Sequence, residues 1–465
     1  MPLNNNNDNA GATNAPSTKG LLIAILSTIA LADFGLGLNT VVLPLYAKSL
    51  GASIITIGLI IAAFGLARIL VNIPVSIISK KLKSQYIHIG MLFIFLGAVG
   101  YLLSTAYYQL FIFRFLEGFG SGIINTSSMI ILTKHLYMDE KRGKVLSRYM
   151  IARRLSMGSA PFLGAAVALE FTDKAAFLLY SLIMLAGLVI AFHNKKFLNN
   201  IQLGHPETFE KEKEKTDKNA AAIKLSEINE NGFARSEAGQ PKDKNNHDDK
   251  KLNNISAQAS PEIEKQGAIK RHLLLLRNTS FIVLCFLTFS FFFSRIGTRR
   301  ELAPLVGAYT MGLNKADIGL LISISAIIGV ILTYYSDRVI NAMGIKESII
   351  ASLAISAIGI LSFIIFNNVI AFGASIILLN AGGGFSGPAR NLYLMDSVDK
   401  TRYDEAIGIY RTLSDFGFVL GPFAVGAVFE YFNYLSAYSL VAVIIILALM
   451  LFAIFGNSFK IKSAL

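Results

Sequence analysis

The sequence predicts an all-α integral membrane protein: twelve transmembrane helices in two pseudo-symmetric six-helix bundles. Three observations predict it, namely the bulk composition, the number and length of the apolar runs, and an internal duplication at near-constant offset. Of 465 residues, 53% are hydrophobic and only 16% charged, with a mean hydropathy of +0.54; a water-soluble domain is about a quarter charged. Much of the polar content lies in 1–19 and 195–272. The remaining ~365 residues fit about twelve spans of ~20 residues with short loops.

The runs fall at about 20–46, 52–79, 86–106, 109–133, 146–169 and 175–193, then 278–306, 315–337, 346–366, 369–396, 405–428 and 434–456. In lipid every backbone polar group needs an internal partner, so these runs must be helices or a closed barrel. They are too long and too uniformly apolar for alternating barrel strands. Lys and Arg recur after every second run: Lys80, Lys81 and Lys83; Lys141, Arg142 and Lys144; Arg338 and Lys346; Lys400 and Arg402; Lys460 and Lys462. The other loops carry little, with Lys48, Lys174 and Lys315. This bias places both termini and the central linker in the cytoplasm of a multi-pass cell-membrane protein. The expected organisation is a disordered cytoplasmic tail (1–19), a six-helix bundle (20–193), a disordered cytoplasmic linker (194–277), a second bundle (278–456) and a short cytoplasmic tail (457–465). The linker is rich in Lys, Glu and Asn and poor in aromatics, so it cannot bury enough apolar area to offset chain entropy. It reads as a tether between the halves, with a regulatory docking segment as the other reading.

The duplication is direct. Leu43-Pro44-Leu45, Leu50-Gly51 and Ile57-Gly58-Leu59 recur as Ala303-Pro304-Leu305, Met311-Gly312 and Ile318-Gly319-Leu320, offset by 260 or 261 residues. Pro161, after Gly158, corresponds to Pro422, after Gly421, again 261 residues on. One six-helix unit has been used twice, as parallel repeats are in many membrane carriers.

Composition also excludes. The net charge of +13 could suggest nucleic acid, but no basic-aromatic surface stands apart from the spans, and the charge reads as the cytoplasmic bias. Cys285 is the one cysteine, so neither an internal disulfide nor a multi-cysteine metal site is available. The histidines lack ligand spacing. No metal and no cofactor are expected. Residues 1–19 are Asn-rich, unlike the basic start of a cleaved signal, and the run from Leu21 is expected to remain as an anchor. Gly382-Gly-Gly384-Phe-Ser-Gly387 fits Gly-x-Gly-x-x-Gly, but no strand precedes it and it lies within a span. It reads as a close-packing stretch.

Charge inside the spans is the informative residue class, because it is costly there and has to face protein or water. The fourth run carries Arg114, Glu117, Gly118, Gly120 and Gly122; the glycines let neighbouring helices approach closely. A packing helix with a structural ion pair is the plain reading of this stretch. Other ionisable residues within or bordering spans are Asp33, Arg68, Arg153, Arg154, Arg295, Arg299, Arg300, Glu301, Arg390, Arg411 and Asp415. The fifth and eleventh runs carry Gly158, Pro161 and Gly164, and Gly417, Gly421, Pro422 and Gly426, where proline bends a helix and glycine thins it.

With these motifs the membrane portion resembles the major facilitator superfamily, nearest to its proton-coupled drug and metabolite exporters. The family's fourth helix often carries Arg-x-x-Gln-Gly-x-Gly; Arg114, Gly118 and Gly120 match, and Glu117 stands for the glutamine. The resemblance implies that Arg114 lies near an acid on the first helix, a place Asp33 would fill, about 20 Å into its span by helix rise; Asp33, Arg114 and Glu117 are the expected proton-coupling residues. The family's loop motif, with an Asp-Arg after the second and eighth helices, survives as Asp337-Arg338. It implies a cytoplasmic gate in which Asp337 meets the start of the fifth helix near Arg148; its first copy has lost the aspartate at Ser79. The fifth-helix motif resembles the antiporter motif, with Ala160 in place of a glycine. The family's cavity is lined by the first, fourth, seventh and tenth helices, which gives Arg295, Arg299, Asn380 and Arg390 as candidate cavity residues. Arginine suits carboxylate and phosphate groups, so an organic anion is one candidate solute. Its second and eleventh helices meet between the halves, where Arg68 and Asp415 lie at similar depth, each about 15 Å from the cytoplasmic end. They are expected to pair in one state and part in another; Arg411 joins them as an interface residue. Gly118, Gly120, Gly158, Pro161, Gly421 and Pro422 are the helix-packing set.

The implied function is secondary active transport of a small organic solute by alternating access, with proton-coupled efflux preferred over proton-coupled uptake of an organic anion or another metabolite. The expected partners are that solute, protons and the lipid bilayer, with the chain a monomer. A membrane-embedded enzyme would need clustered His, Asp or Ser nucleophile sets, and the sequence has none. A receptor that has lost transport would have little use for Asp33 and Asp337.

Overall fold

The computed structural model describes residues 18–78, 85–135, 142–193, 278–398 and 403–457. The linker, most of the amino-terminal tail, the carboxy-terminal tail and the Lys/Arg positions at 80, 81, 83, 141, 400, 402, 460 and 462 lie outside these residues, as does Ser79. The helices are α1 (Thr18–Ser49), α2 (Ile54–Ile78), α3 (Gln85–Leu103), α4 (Tyr107–His135), α5 (Arg142–Glu170) and α6 (Asp173–His193). After the linker come α7 (Thr279–Tyr309), α8 (Lys315–Tyr334), a short helix (Ser336–Met343), α9 (Ile345–Phe366), α10 (Val369–Ser397), α11 (Tyr403–Tyr431) and α12 (Tyr434–Phe455). Ten of the helices are long and apolar enough to cross a membrane. The remaining two long helices, α4 and α5, span 29 residues each but carry Arg114, Glu117, Arg153 and Arg154, which lower their apolar average.

Packing follows the repeat. In the first bundle α1 lies along α5 and α6, α2 along α4, and α3 along α4 and α6. In the second, α7 lies along α11 and α12, α8 along α10, and α9 along α10 and α12. Two seams join the bundles, α2 with α11 and α5 with α8, and the repeat exchanges one seam for the other. Twelve crossings bring the start of α1 and the end of α12 to one end of the bundles, here the terminal end; the other is the distal end. The distal end is tied by Lys315 Nζ on Asp173 Oδ1 and by the Ile54 amide, which donates to Glu430 Oε2 at 2.6 Å.

Local sequence explains the elements. Asn278, Asn314, Asn368 and Asn433 each precede a helix, and each side chain accepts from a backbone amide in the first turn, as N-caps do. Gly51 and Gly312, repeat-related, close the turns after α1 and α7 at φ +87° and +69°, where a Cβ would be strained. The seventh run is not uniform: Thr298–Leu302 forms a π-helical turn. Pro304 has no amide proton to give to the Arg300 carbonyl, so the ladder widens there and the Ala303 amide bonds to Thr298 O instead. The eighth run stops at Tyr334, short of the expected 337, and Asp337 and Arg338 fall on the short helix that follows.

Helices in lipid gain little from apolar burial alone, since the tails are as apolar as leucine, so close backbone approach has to hold them. A methyl at Gly118 would meet the Phe64 backbone of α2, and one at Gly120 the Gly90 carbonyl of α3. Leu182, Val189, Ile358, Val443 and Met450 point outward and exposed, a surface that suits lipid and would aggregate in water. At the seams, a Cβ on Gly58 would sit 2.6 Å from the Pro422 carbonyl and one on Gly319 2.7 Å from that of Pro161. The repeat thus presses one glycine against one proline carbonyl twice. Gly158 faces Ala326, and Gly421 the Phe293 backbone. Gly319→Val would force that backbone apart and is expected to destabilise by about 1–3 kcal/mol. Gly408→Ala, at a helical position open on all sides, is expected to be neutral or stabilising. Melting temperatures in detergent check both; equal shifts would contradict the seam geometry.

Candidate functional site

The buried carboxylates of the first bundle, Glu117 and Asp33, are matched within it. Glu117 is fully buried and accepts from Tyr101 Oη at 2.6 Å, Tyr180 Oη at 2.7 Å, Asn39 Nδ2 at 3.3 Å and Arg114 Nη1. Donors from α1, α3, α4 and α6 therefore converge on one carboxylate. Arg114 also lies over the Phe64 ring, 4.6 Å from its centroid. Asp33 is bound in a fork by Arg153 of α5, Nε to Oδ2 at 2.6 Å and Nη2 to Oδ1 at 3.1 Å, beside a crevice lined by Ser121 and Asn125.

This corrects the expected pairing of Asp33 with Arg114. Arg114 and Glu117 are one turn apart on one helix, so they meet without further ordering of the chain. Asp33 sits on the face of α1 that packs on α5, where Arg153 is the cation within reach.

Arg68 Nη2 of α2 lies 3.6 Å from Asp415 Oδ1 of α11, across a seam, with its guanidinium over Phe418. The other gate candidates are not brought together. Asp337 and Arg338 are exposed, Arg338 over the Tyr335 ring, and Arg411 is exposed on α11. The Arg148 side chain expected near Asp337 lies outside the description.

The second bundle differs. Arg390 of α10 is buried, stacked on Phe291 of α7 at 3.8 Å from the ring centroid, and its Nη1 has no hydrogen-bond partner. Arg295 lies on the same ring at 5.7 Å. From the first bundle, Arg154 reaches across the α5–α8 seam to donate to Thr333 Oγ1 and comes up to Gly387 of α10. Arg295 is within Coulombic reach of Arg154, Arg299 and Arg390, and no carboxylate answers Arg154, Arg295 or Arg390 among the described residues. Asn380 donates to Ser325 Oγ at 3.0 Å, its Oδ1 unpartnered. The π-helical turn carries Arg299, Arg300 and Glu301, all buried; Arg299 Nε and Nη2 lack partners, and Arg300 lies over Phe64 and Phe418.

Sequence reasoning gave Arg153, Arg154 and Glu301 no role and passed over Phe291, Tyr101 and Tyr180. Intramembrane charge was the available signal for Arg153, Arg154 and Glu301, and the three aromatic residues carried none; the partners of all six depend on which helix faces meet.

A cycle on the Asp33–Arg153 pair tests the geometry. Arg153→Ala strands a buried carboxylate and is expected to cost about 3–5 kcal/mol, with much of that recovered when Asp33→Ala is added. Melting temperatures of the two single variants and the double variant decide it; additive losses would mean that the residues do not pair.

The family model "Major Facilitator Superfamily" matches residues 25–300 and 284–463. The chain is 28% identical over 191 residues to the multi-drug resistance efflux pump PmrA homolog of Lactococcus lactis, covering 40% of this chain and 47% of that protein. It is 26% identical over 184 residues to an uncharacterised MFS-type transporter of Methanocaldococcus jannaschii, covering 39% and 45%, so the match spans just under half of either relative. Among solved structures, the nucleoside transporter NupG aligns with a TM-score of 0.68 at 12% identity over 94% of this chain and 100% of that one. A mutant of the peptide transporter POT aligns with 0.69 at 15% over 96% and 95%. The latter two likenesses show the fold. The family model covers nearly the whole membrane portion, and the chain belongs to the Major Facilitator Superfamily.

Proposed function

We propose that the chain is a secondary active transporter that exports a small organic anion, in exchange for protons, by alternating access between its two bundles. One observation carries the choice of solute: Arg295 and Arg390 lie on the Phe291 ring, and Arg154 crosses the α5–α8 seam to come within Coulombic reach of both, without a carboxylate to neutralise them among the described residues. Guanidinium groups held apart from acid partners in a lipid-embedded site repel one another and bind carboxylate, sulfonate or phosphate with fixed forks of donors. Phe291 presents an apolar face for the body of the solute. The site draws on both bundles, as alternating access about a midplane site requires.

The direction is supported by the efflux-pump name of the Lactococcus relative. The Lys and Arg bias supports a cell-membrane orientation with both termini cytoplasmic, and the two-bundle fold supports a monomer enclosing its own path. Asp33 and Glu117 are both tied up in this arrangement, the first by Arg153 and the second by its ring of donors.

A thermal-shift screen of the purified chain tests the solute class, with matched pairs such as benzenesulfonate and benzenesulfonamide, and carboxylates and phosphate esters against their uncharged amides and alcohols. Anions are expected to raise the melting temperature and their neutral counterparts to leave it unchanged. Arg390→Gln and Arg295→Gln should each weaken anion binding about 10- to 100-fold, on the order of two charge-assisted hydrogen bonds lost. Stabilisation by cations or neutral compounds alone would reject the reading.

A further inference from the structure

Glu301 is fully buried on the π-helical turn of α7, and neither carboxylate oxygen has a hydrogen-bond partner. It enters no ion pair with a described residue. Its tip lies in the α2–α11 seam: Oε1 comes within 2.9 Å of where a Cβ on Gly58 would be, and it would also collide with a Cβ on Gly426. Gly58 is one turn inside α2, about 6 Å from its distal start, directly beneath the Ile54–Glu430 tie.

The repeat provides a control. Residue 426 corresponds to Ala165, at the offset that matches Pro422 to Pro161, and residue 301 to Val41, at the offset that matches Pro304 to Pro44. In the α5–α8 seam the Ala165 methyl packs where a Cβ on Gly319 would point, 2.7 Å away, and closes the space. In the α2–α11 seam Gly426 has no methyl, and the niche holds a carboxyl. Room has been made for an acid at one seam and not at the other.

The charged groups around the niche do not neutralise it. On α7, Arg299 and Arg300 share its turn, but Arg300 lies over Phe64 and Phe418 and neither forms a salt bridge to it; Arg295 lies on Phe291. On α2, Arg68 faces Asp415 of α11. Also on α11, Glu430 is spent on the Ile54 amide. On α1, Asp33 is held by Arg153 and Lys48 lies at the helix end. On α12 the ionisable side chains are Tyr434 and Tyr438, neutral phenols. An ionised carboxylate left unanswered in a membrane span is costly by several kcal/mol, and an intramembrane acid without a partner marks a functional site.

We infer that Glu301 is a proton-binding site built into the α2–α11 seam, sealed while the distal tie is closed and exchanging its proton with water when the seam opens. The step is simple: a carboxylate oxygen takes H⁺ from water on the distal side to form the neutral acid, and gives it back when the site is next wetted. The niche then always closes over an uncharged group. The inference deepens the proposed proton exchange and lies apart from the anion site.

Infrared pH-difference spectra of the full chain in liposomes test it without any transported solute. The parent is expected to show a protonated-carboxyl C=O band that titrates; Glu301→Gln should remove it, and Glu301→Asp should keep it at a shifted position. Joining Ile54→Cys to Glu430→Cys by a disulfide, in a Cys285→Ser background, should slow the band's response to a pH step at least tenfold, with reduction restoring it. A band unchanged in Glu301→Gln overturns the proton site, and a disulfide without effect overturns the seal. Because no solute is used, these failures would leave the anion reading standing, and the anion screen can fail with the Glu301 band in place.

Discussion

An ionised side chain inside a bilayer has to be answered by an opposite charge or by a full set of hydrogen bonds, and the two bundles meet this demand in different ways. In the first, Glu117 ties donors from α1, α3, α4 and α6 to one carboxylate, and Asp33 with Arg153 ties α1 to α5. Each of these two carboxylates has its answer within its own bundle, and each answer links helices. Breaking such a node would expose an unpaired charge to low dielectric, so it acts as a rigid brace. In the second bundle the guanidinium groups of Arg295, Arg299 and Arg390 have no acid of their own. The acids of the first bundle build a frame, and the second bundle, with Arg154 of the first, holds the groups still open to a partner.

Between them run two seams whose contacts are backbone against glycine. Gly58 on the Pro422 carbonyl and Gly319 on that of Pro161 bring helices close without interlocking long side chains, so one bundle can rock on the other without repacking a core. Proline has no amide proton for the carbonyl four residues before it, so α5 and α11 lose one ladder bond each and can bend next to these contacts. That the repeat places the same pair at both seams follows from the duplication; each bundle gives one glycine helix and one proline helix to its partner.

Much of this frame was legible in the chain. Span number follows from lipid's demand on the backbone and the repeat from motifs recurring at a near-constant offset; the family resemblance set the second helix against the eleventh, and helix rise put Arg68 and Asp415 at one depth, 3.6 Å apart in the structure. Side-chain pairing was less legible. Asp33 was assigned to Arg114 by family resemblance, yet Glu117, three residues on, was the nearer acid, and Arg153 became visible only once α1 was known to face α5. Pro304 was read as a marker of duplication, while its local effect, widening α7 and turning Arg299, Arg300 and Glu301 inward, depends on which carbonyl loses its donor. The niche for Glu301 needs the absence of one methyl at Gly426, and no pattern in a single helix announces that.

The arrangement of the unanswered arginines bears on how a solute could drive the cycle proposed above. Two like charges ~6 Å apart repel by about 3 kcal/mol at an effective dielectric constant of ~20, so bringing Arg154 of one bundle toward Arg295 and Arg390 of the other is unfavourable while the site is empty. An anion between them turns repulsion into attraction on both sides at once. A ligand can move a conformational equilibrium only by its differential affinity for the two states, and a ligand that cancels charge held by both bundles has that preference for the state in which they close. A neutral solute in the same place would leave the repulsion intact, and a cation would add to it. The charge that selects the solute is thus the same charge that makes its binding change the shape of the protein.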